Sequence, residues 1–318
     1  MLEYYGNAVA ETRIVMRCAA IDLGTNTARL LIGDRDSNRL ATICIEREIV
    51  RLGGGFRHGY GLSDNAQLRA LSCLKRFSGI MKEYGVQTVR ASATSAVRDA
   101  LNGPSFVERV FKETGISLVV IDGELEGKLT LQGVISGLDE IHDSMVVVDV
   151  GGGSTEITIA EQGKVRFVGS LPLGVVRLTE GFVLPEAMSE RITGILGDLQ
   201  SKISSAGVCL TSDSVMIATA GTATTLAAIK MEMVDYDYRR VNNFLISRTE
   251  VAEIYDRLLP LDPRERILIP GLEKGREDLI IAGILIILHT MDSLGFTRLK
   301  VSDYGLLEGL ALSEVEKG

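Results

Sequence analysis

The chain has 318 residues, 46% hydrophobic and 24% charged, a balance that excludes a disordered or fibrous protein and suits about two domains. Its 34 basic residues against 42 acidic ones leave a net charge of −8, which excludes nucleic-acid binding through a broad cationic face, since that binding works by neutralising phosphates. Four scattered cysteines (Cys18, Cys44, Cys73, Cys209) and three histidines without a spaced pair (His58, His142, His289) exclude zinc-ribbon, dithiol and disulfide scaffolds.

In chain order, residues 1–15 carry Glu3, Asn7, Glu11 and Arg13, which interrupt any apolar signal core. They read as an extension ahead of the first strand, or as a start codon placed before Met16. Strands are predicted over 17–23, 28–33 and 39–49. A helix follows over 63–84, capped by Ser63, with Leu68, Leu71, Leu74 and Phe77 as its apolar positions. Strand 87–92, helix 104–114, strand 117–121 and helix 124–137 close a first half. The second half reads as strands 144–150, 155–160 and 164–170, helix 185–206, strand 214–219, helices 222–231, 248–259 and 276–293, strand 297–302 and helix 304–316. Alternating strands and helices predict an α/β fold with covered sheet faces. The longest apolar run, 279–288, is far short of the ~20 residues that cross a bilayer, so it predicts a buried helix. These features point to the cytoplasm, with no membrane partner and no nucleic-acid partner.

The chain repeats itself. Ala20-Ile21-Asp22-Leu23-Gly24-Thr25-Asn26-Thr27 resembles Val147-Val148-Asp149-Val150-Gly151-Gly152-Gly153-Ser154, and Asp149 stands 127 residues after Asp22. Ala91-Ser92-Ala93-Thr94-Ser95-Ala96 resembles Ala218-Thr219-Ala220-Gly221-Thr222-Ala223 at the same offset of 127. Two matches at one offset predict a duplicated domain. The halves are placed at 16–138 and 139–318, with a short hinge near 137–143.

The repeated loops carry chemistry suited to phosphate. Glycine lets the backbone approach a ligand, and consecutive N–H groups form an anion nest. Gly151-Gly152-Gly153-Ser154 offers such a nest; Gly221 and Thr222 sit where helix N-terminal donors would meet an anion. Thr94, Ser95 and Arg98 do the same and add a guanidinium. Together they predict a phosphate clamp drawn from both halves. Asp149 and Glu156 flank the glycine turn and would share one magnesium ion, its shell completed by phosphate oxygens and water. Asp22 would reach that ion through water. Glu124 and Glu126 open a helix, where carboxylates commonly serve only the dipole; that reading is preferred for Glu124, and pattern alone leaves Glu126 open.

These motifs resemble the exopolyphosphatase / guanosine pentaphosphate phosphohydrolase (Ppx/GppA) family of the actin-like ATPase superfamily, from residue 19 to 309. The carriers are Ile21-Asp22-Leu23-Gly24-Thr25-Asn26-Thr27, Ala93-Thr94-Ser95-Ala96-Val97-Arg98-Asp99, Asp149-Val150-Gly151-Gly152-Gly153-Ser154-Thr155-Glu156 and Ser170-Leu171-Pro172-Leu173-Gly174-Val175-Val176-Arg177. The resemblance implies duplicated ribonuclease H-like lobes around a cleft. It implies magnesium-dependent hydrolysis of the terminal phosphate of polyphosphate or of guanosine pentaphosphate. It makes Glu126 the water-activating base and Asp149 and Glu156 the metal and water-positioning carboxylates. Asn26, Arg98, the 151–154 loop, Gly221 and Thr222 become phosphate contacts. Leu125-Glu126-Gly127 stands where the family has Glu-Glu-Ala, and Leu307 where arginine is common; both departures touch expected substrate handling. The length matches the short members without additional C-terminal helical domains.

An acidic chain acting on a polyanion needs a local cationic path, for which Lys128, Arg166, Arg177, Arg239, Arg240, Lys274 and Arg276 are the candidates. Three rivals stay open: a kinase of the same fold, a chaperone-type ATPase, and a non-catalytic polyphosphate or alarmone sensor. The surface is compatible with a monomer or a homodimer.

Overall fold

A computed structural model describes residues 16–36, 39–56 and 59–313. The expectation for residues 1–15 and the end of the last predicted helix lie outside the described residues. The first half opens with antiparallel β1 (Met16–Leu23), β2 (Thr27–Asp36) and β3 (Arg39–Ile49). After α1 (Asp64–Glu83), β4 (Thr88–Ala93) returns parallel to β1. The short α2 (Ser95–Arg98) and α3 (Gly103–Thr114) lead to β5 (Leu118–Val120), giving a sheet of order β3-β2-β1-β4-β5. Then α4 (Gly123–Gly137) carries the chain onward.

The second half repeats the plan with β6 (Ser144–Val150), β7 (Thr155–Glu161), β8 (Lys164–Leu171), α5 (Val175–Gly181), α6 (Pro185–Ser205) and β9 (Val215–Thr219). It continues through α7 (Ala220–Lys230), α8 (Tyr238–Val241), β10 (Leu245–Ser247), α9 (Arg248–Leu258), α10 (Pro263–Arg266), α11 (Ile280–Leu294), β11 (Arg298–Val301) and α12 (Leu306–Leu312). Its sheet runs β10-β11-β9-β6-β7-β8, which is the first order again with one edge strand added. The register repeats too. Asp22 faces Arg29 across β1–β2 and Ser92 across β1–β4; Asp149 faces Glu156 across β6–β7 and Thr219 across β6–β9.

Strand alternation sorts the two faces of each sheet. Ile21 and Leu23 of β1 pack with Leu74 and Phe77 of α1, while Ala20 between them meets Leu306, Leu307 and Leu310 of α12. Val146, Val148 and Val150 of β6 join Ile192 and Leu196 of α6, while Met145 and Val147 meet Leu131 and Val134 of α4. The last helix of the first half thus covers the second sheet, and the last helix of the chain returns to cover the first. By the same alternation Asp149 sits on the α4 side of β6.

Several expectations change in detail. Ser63 caps α1 by accepting from the Ala66 N–H, but Leu68 is 51% exposed. Leu71, Leu74 and Phe77 are buried as expected, together with Ala66, Ala70 and Cys73; a strict step of three walks off a helix of 3.6 residues per turn, which leaves Leu68 outside the buried face. The 279–288 run lies in the core at the start of α11. Among the described residues, no helix is long and apolar enough to cross a membrane.

Candidate active site

The two repeated loops adopt one backbone geometry. Gly24 N–H donates to Thr27 O at 3.0 Å, and Gly151 N–H donates to Ser154 O at 3.0 Å. In each lobe a downstream segment takes up the loop's carbonyls: Gly53 N–H bonds Thr25 O at 2.8 Å, and Val176 N–H bonds Gly152 O at 2.9 Å. Turning the carbonyls away leaves the N–H groups of Gly152, Gly153 and Ser154 without an acceptor among the described residues. That is the polarity of an anion nest.

The loops face each other across an interlobe cleft of about 110 Å³. Of the residues expected there, Asp22, Asn26, Thr94 and Ser95 line it from the first lobe, and Asp149, Gly151, Gly152, Ser154 and Gly221 from the second; Glu126 joins them from the start of α4. Asn26 is 5% exposed, yet neither end of its amide has a partner. A buried unpaired amide is costly, so its position in the cleft marks a place for a polar ligand.

Four expected residues do not themselves line the cleft. Thr222 faces α11, where a Cβ on Gly283 would meet its hydroxyl; α7 is buried on nearly every side, so no apolar stripe betrays which way its threonines point. Gly153 borders the far side of the loop. Glu156 is 2% exposed and stands beside Asp149 in the ladder, behind the cleft wall. Arg98 spends its guanidinium on Ile121 O at 3.0 Å and Glu126 Oε2 at 3.2 Å; it holds the carboxylate instead of lining the cleft.

Helix α4 brings Glu126 to this point. Asp122 caps it by accepting from Leu125 N–H at 2.8 Å. Gly127 then lets the helix lie against β7 and β8, for a Cβ there would come within 2.6 Å of Thr158 Oγ1 and 2.7 Å of Val168 Cγ1. Glu124, by contrast, is exposed and pairs with Lys128 at 2.5 Å, as a first-turn dipole partner should.

Glu126, Glu156, Asp149 and Asp22 form one acidic group. Burial first, and then the charges of Glu156, Asp149 and Asp22, push the Glu126 carboxyl well above its ordinary range, with Arg98 opposing. Burial and Asp149 push Glu156 to about 7, against the hydrogen bond from Ser170 Oγ at 2.7 Å. Asp22 is also pushed to about 7, by burial in spite of Arg29. Asp149 is raised by burial, against Thr130 Oγ1 donating at 3.2 Å. Four carboxylates that resist ionising together, one of them with an unpartnered buried oxygen at Asp22 Oδ1, suit a hard cation. Among the described residues no three ligating side chains close a cage.

The cations at the cleft are not the expected set. Arg29, Arg47 and Arg276 line it, and only Arg276 was a candidate. Burial works against the charge on Arg29, but Glu308, Asp303 and Asp22 outweigh it and hold the guanidinium firmly charged. Arg47 pairs with Glu273 at 2.7 Å, and so does Arg276 at 2.6 Å. Lys128, Arg166 and Arg177 are engaged by Glu124, Glu161 and Asp99, and none of them lines the cleft. The offset of 127 held a signal for Arg29, which occupies the place of Glu156. Leu307 is fully buried between α12 and the first sheet, away from the cleft, and Leu125 is exposed, so neither departure touches the acidic group.

Comparison with known proteins places this arrangement. A model described as the Ppx/GppA phosphatase family matches residues 31–318. A bifunctional 3-dehydroquinate synthase/phosphatase of Fusobacterium nucleatum is 32% identical over 311 residues, covering 94% of this chain; the chain spans 46% of that relative's length. Exopolyphosphatase 2 of Mycobacterium tuberculosis is 31% identical over 315 residues, covering 93% of this chain and 98% of the relative. The crystal structure of the Aquifex aeolicus member of the Ppx/GppA family superposes with a TM-score of 0.78 at 33% identity, covering 95% of this chain and 98% of the other.

Proposed function

The chain belongs to the Ppx/GppA phosphatase family and is a phosphoric anhydride hydrolase of actin-like fold; from that premise we propose that it removes the terminal phosphate of inorganic polyphosphate, of guanosine pentaphosphate, or of both. The carrying observation is the meeting of two phosphate-type loops with a buried carboxylate, Glu126, at the start of α4. The terminal phosphoryl group sits between the 151–154 nest, Asn26 and Ser95. Gly221 and the first turn of α7 receive the next phosphates. Glu126, oriented by Arg98, takes the proton of the in-line water. Asp149, with Asp22 and Glu156 in support, would hold magnesium, which when bound neutralises charge on the phosphoryl oxygens and among the carboxylates. With its neighbours neutralised, Glu126 ionises and serves as base at neutral pH. Positioning and charge carry most of such a reaction.

Neither departure from the family pattern reaches the base, which favours hydrolysis over silent binding. The four cysteines are free, in keeping with a reducing cytoplasm, and we take 16–138 and 139–318 as the two lobes. The test is phosphate release with magnesium from long polyphosphate, guanosine pentaphosphate and ATP in parallel. Release from either of the first two, lowered about 10²–10⁴-fold in Glu126→Ala, is the expected result. Tight binding with no release from any of them would make the protein a sensor, and robust ATP-dependent transfer to an acceptor would make it a kinase.

A further inference from the structure

A second cavity, of about 550 Å³, lies on the other side of the first loop. It shares two walls with the cleft, Thr25 and Ser95. The partition is one side chain thick. Thr25 Oγ1 and Ser95 Oγ are hydrogen-bonded at 2.8 Å. Gly153 seals them from the opposite lobe, so closely that a Cβ there would lie 2.5 Å from Ser95 Oγ and 2.8 Å from Thr25 Oγ1. The seal therefore falls on the seam between lobes and consists of two small hydroxyls against a bare backbone.

Polar contacts tie the lobes together around this second cavity. Arg177, held within its own lobe by donating to Gly153 O at 3.0 Å, donates across to Asp99 Oδ2 at 2.7 Å, and Glu180 accepts from Gly55 N–H of the first lobe at 3.2 Å. Farther out, Glu180, Gly181 and Arg191 are exposed, so the cavity opens to solvent. Away from the partition, Arg47 and Thr224 are shared with a third cavity bordered by Tyr236 and Glu273, and Arg276 lies against Gly221; none of these residues borders the second cavity. The cleft thus has a cationic end and, at the partition, a hydroxyl end.

Resting on the proposed hydrolysis, we infer that this second cavity is the exit for the orthophosphate product. In the reaction the water oxygen bonds to the terminal phosphorus and its proton passes to Glu126. The bridging P–O bond breaks, and the bridging oxygen keeps the electron pair as the new chain end. In-line displacement puts the released phosphate at the partition, with the shortened chain between it and the cationic end. Leaving by the cleft would require the chain to depart first. Parting Thr25 and Ser95 from Gly153 lets the phosphate out past Arg177 while the chain stays bound.

Order of release distinguishes the two routes. With guanosine pentaphosphate and short polyphosphate as substrates, added orthophosphate should inhibit noncompetitively, as a product that leaves first does. A plug should then slow release. Gly181 borders the cavity and a Cβ there meets nothing within 4 Å, so Gly181→Trp sets an indole at the mouth of the cavity with no clash at its Cβ. It should lower kcat about tenfold and leave a burst of enzyme-bound phosphate in rapid-quench experiments. Gly194→Trp, at an exposed helix position equally free of neighbours, should keep the wild-type rate and absence of burst. Competitive inhibition by orthophosphate, or a Gly181→Trp enzyme that releases phosphate at the wild-type rate, would overturn the exit and leave hydrolysis standing. No phosphate release from any substrate would overturn both.

Discussion

The two phosphate loops have the same backbone and opposite charge. The Gly24 and Gly151 turns close with matching hydrogen bonds, and each follows a strand whose second-last residue is an aspartate. Yet the residue facing that aspartate is Arg29 in the first lobe and Glu156 in the second. Duplication supplies a symmetric cradle; one register position makes it asymmetric. The second lobe concentrates acid next to Glu126, whereas the first supplies the guanidinium that offsets Asp22 and Glu308.

Removing the first lobe's charge should have the largest effect on folding. Arg29→Met leaves Asp22 and Glu308 without their main counter-charge and should cost about 3 kcal/mol in denaturant unfolding; an unchanged midpoint would mean that Arg29 balances nothing. On the other side, Glu156→Gln keeps the shape and the Ser170 contact but removes a charge. Phosphate release should fall about 10²-fold with little loss of stability, and activity within twofold of wild type would place the chemistry in the first lobe's carboxylate instead.

The acidic group also sets a pH dependence. Asp22 and Glu156 are both raised to about 7, from ordinary values near 4. The folded protein therefore holds these protons more tightly than the unfolded chain, and the associated stability is complete below about pH 4 and lost as pH rises through about 7. In EDTA the Tm should fall between about pH 5 and pH 7.5, and saturating magnesium should flatten the slope. A Tm that does not fall over this range in EDTA, or that falls equally with magnesium, contradicts a cation-neutralised cluster. The smallest effect concerns the helix that carries the base. Gly127→Ala forces α4 off β7 and β8 and should cost about 1–3 kcal/mol, with a drop in kcat if Glu126 moves with it.

Much of this asymmetry was legible in the residues. Apolar runs located ten of the eleven strands among the described residues, because β-branched segments bounded by glycine leave little choice; β10, with three residues, was too short to stand out. The offset of 127 paired the loops and identified Asp22 and Asp149 as counterparts. What it could not show was facing. Thr222 and Thr224 lie in a helix buried on nearly every side, so periodicity does not say that Thr224 reaches the cleft and Thr222 does not. The pairing of Arg98 with Glu126 was hidden because the two are 28 residues apart and meet only through the fold. The crossing of α4 and α12 was hidden for the same reason: each helix has an ordinary apolar face, and nothing local says which sheet it covers.

The central claim is that both loops hold one phosphate chain while Glu126 activates the water. Binding and single-turnover cleavage of guanosine pentaphosphate by Glu126→Gln, each compared with wild type in magnesium, test it together. Affinity within about threefold and cleavage slowed about 10²–10⁴-fold are the predicted pair. Cleavage within threefold of wild type would contradict it.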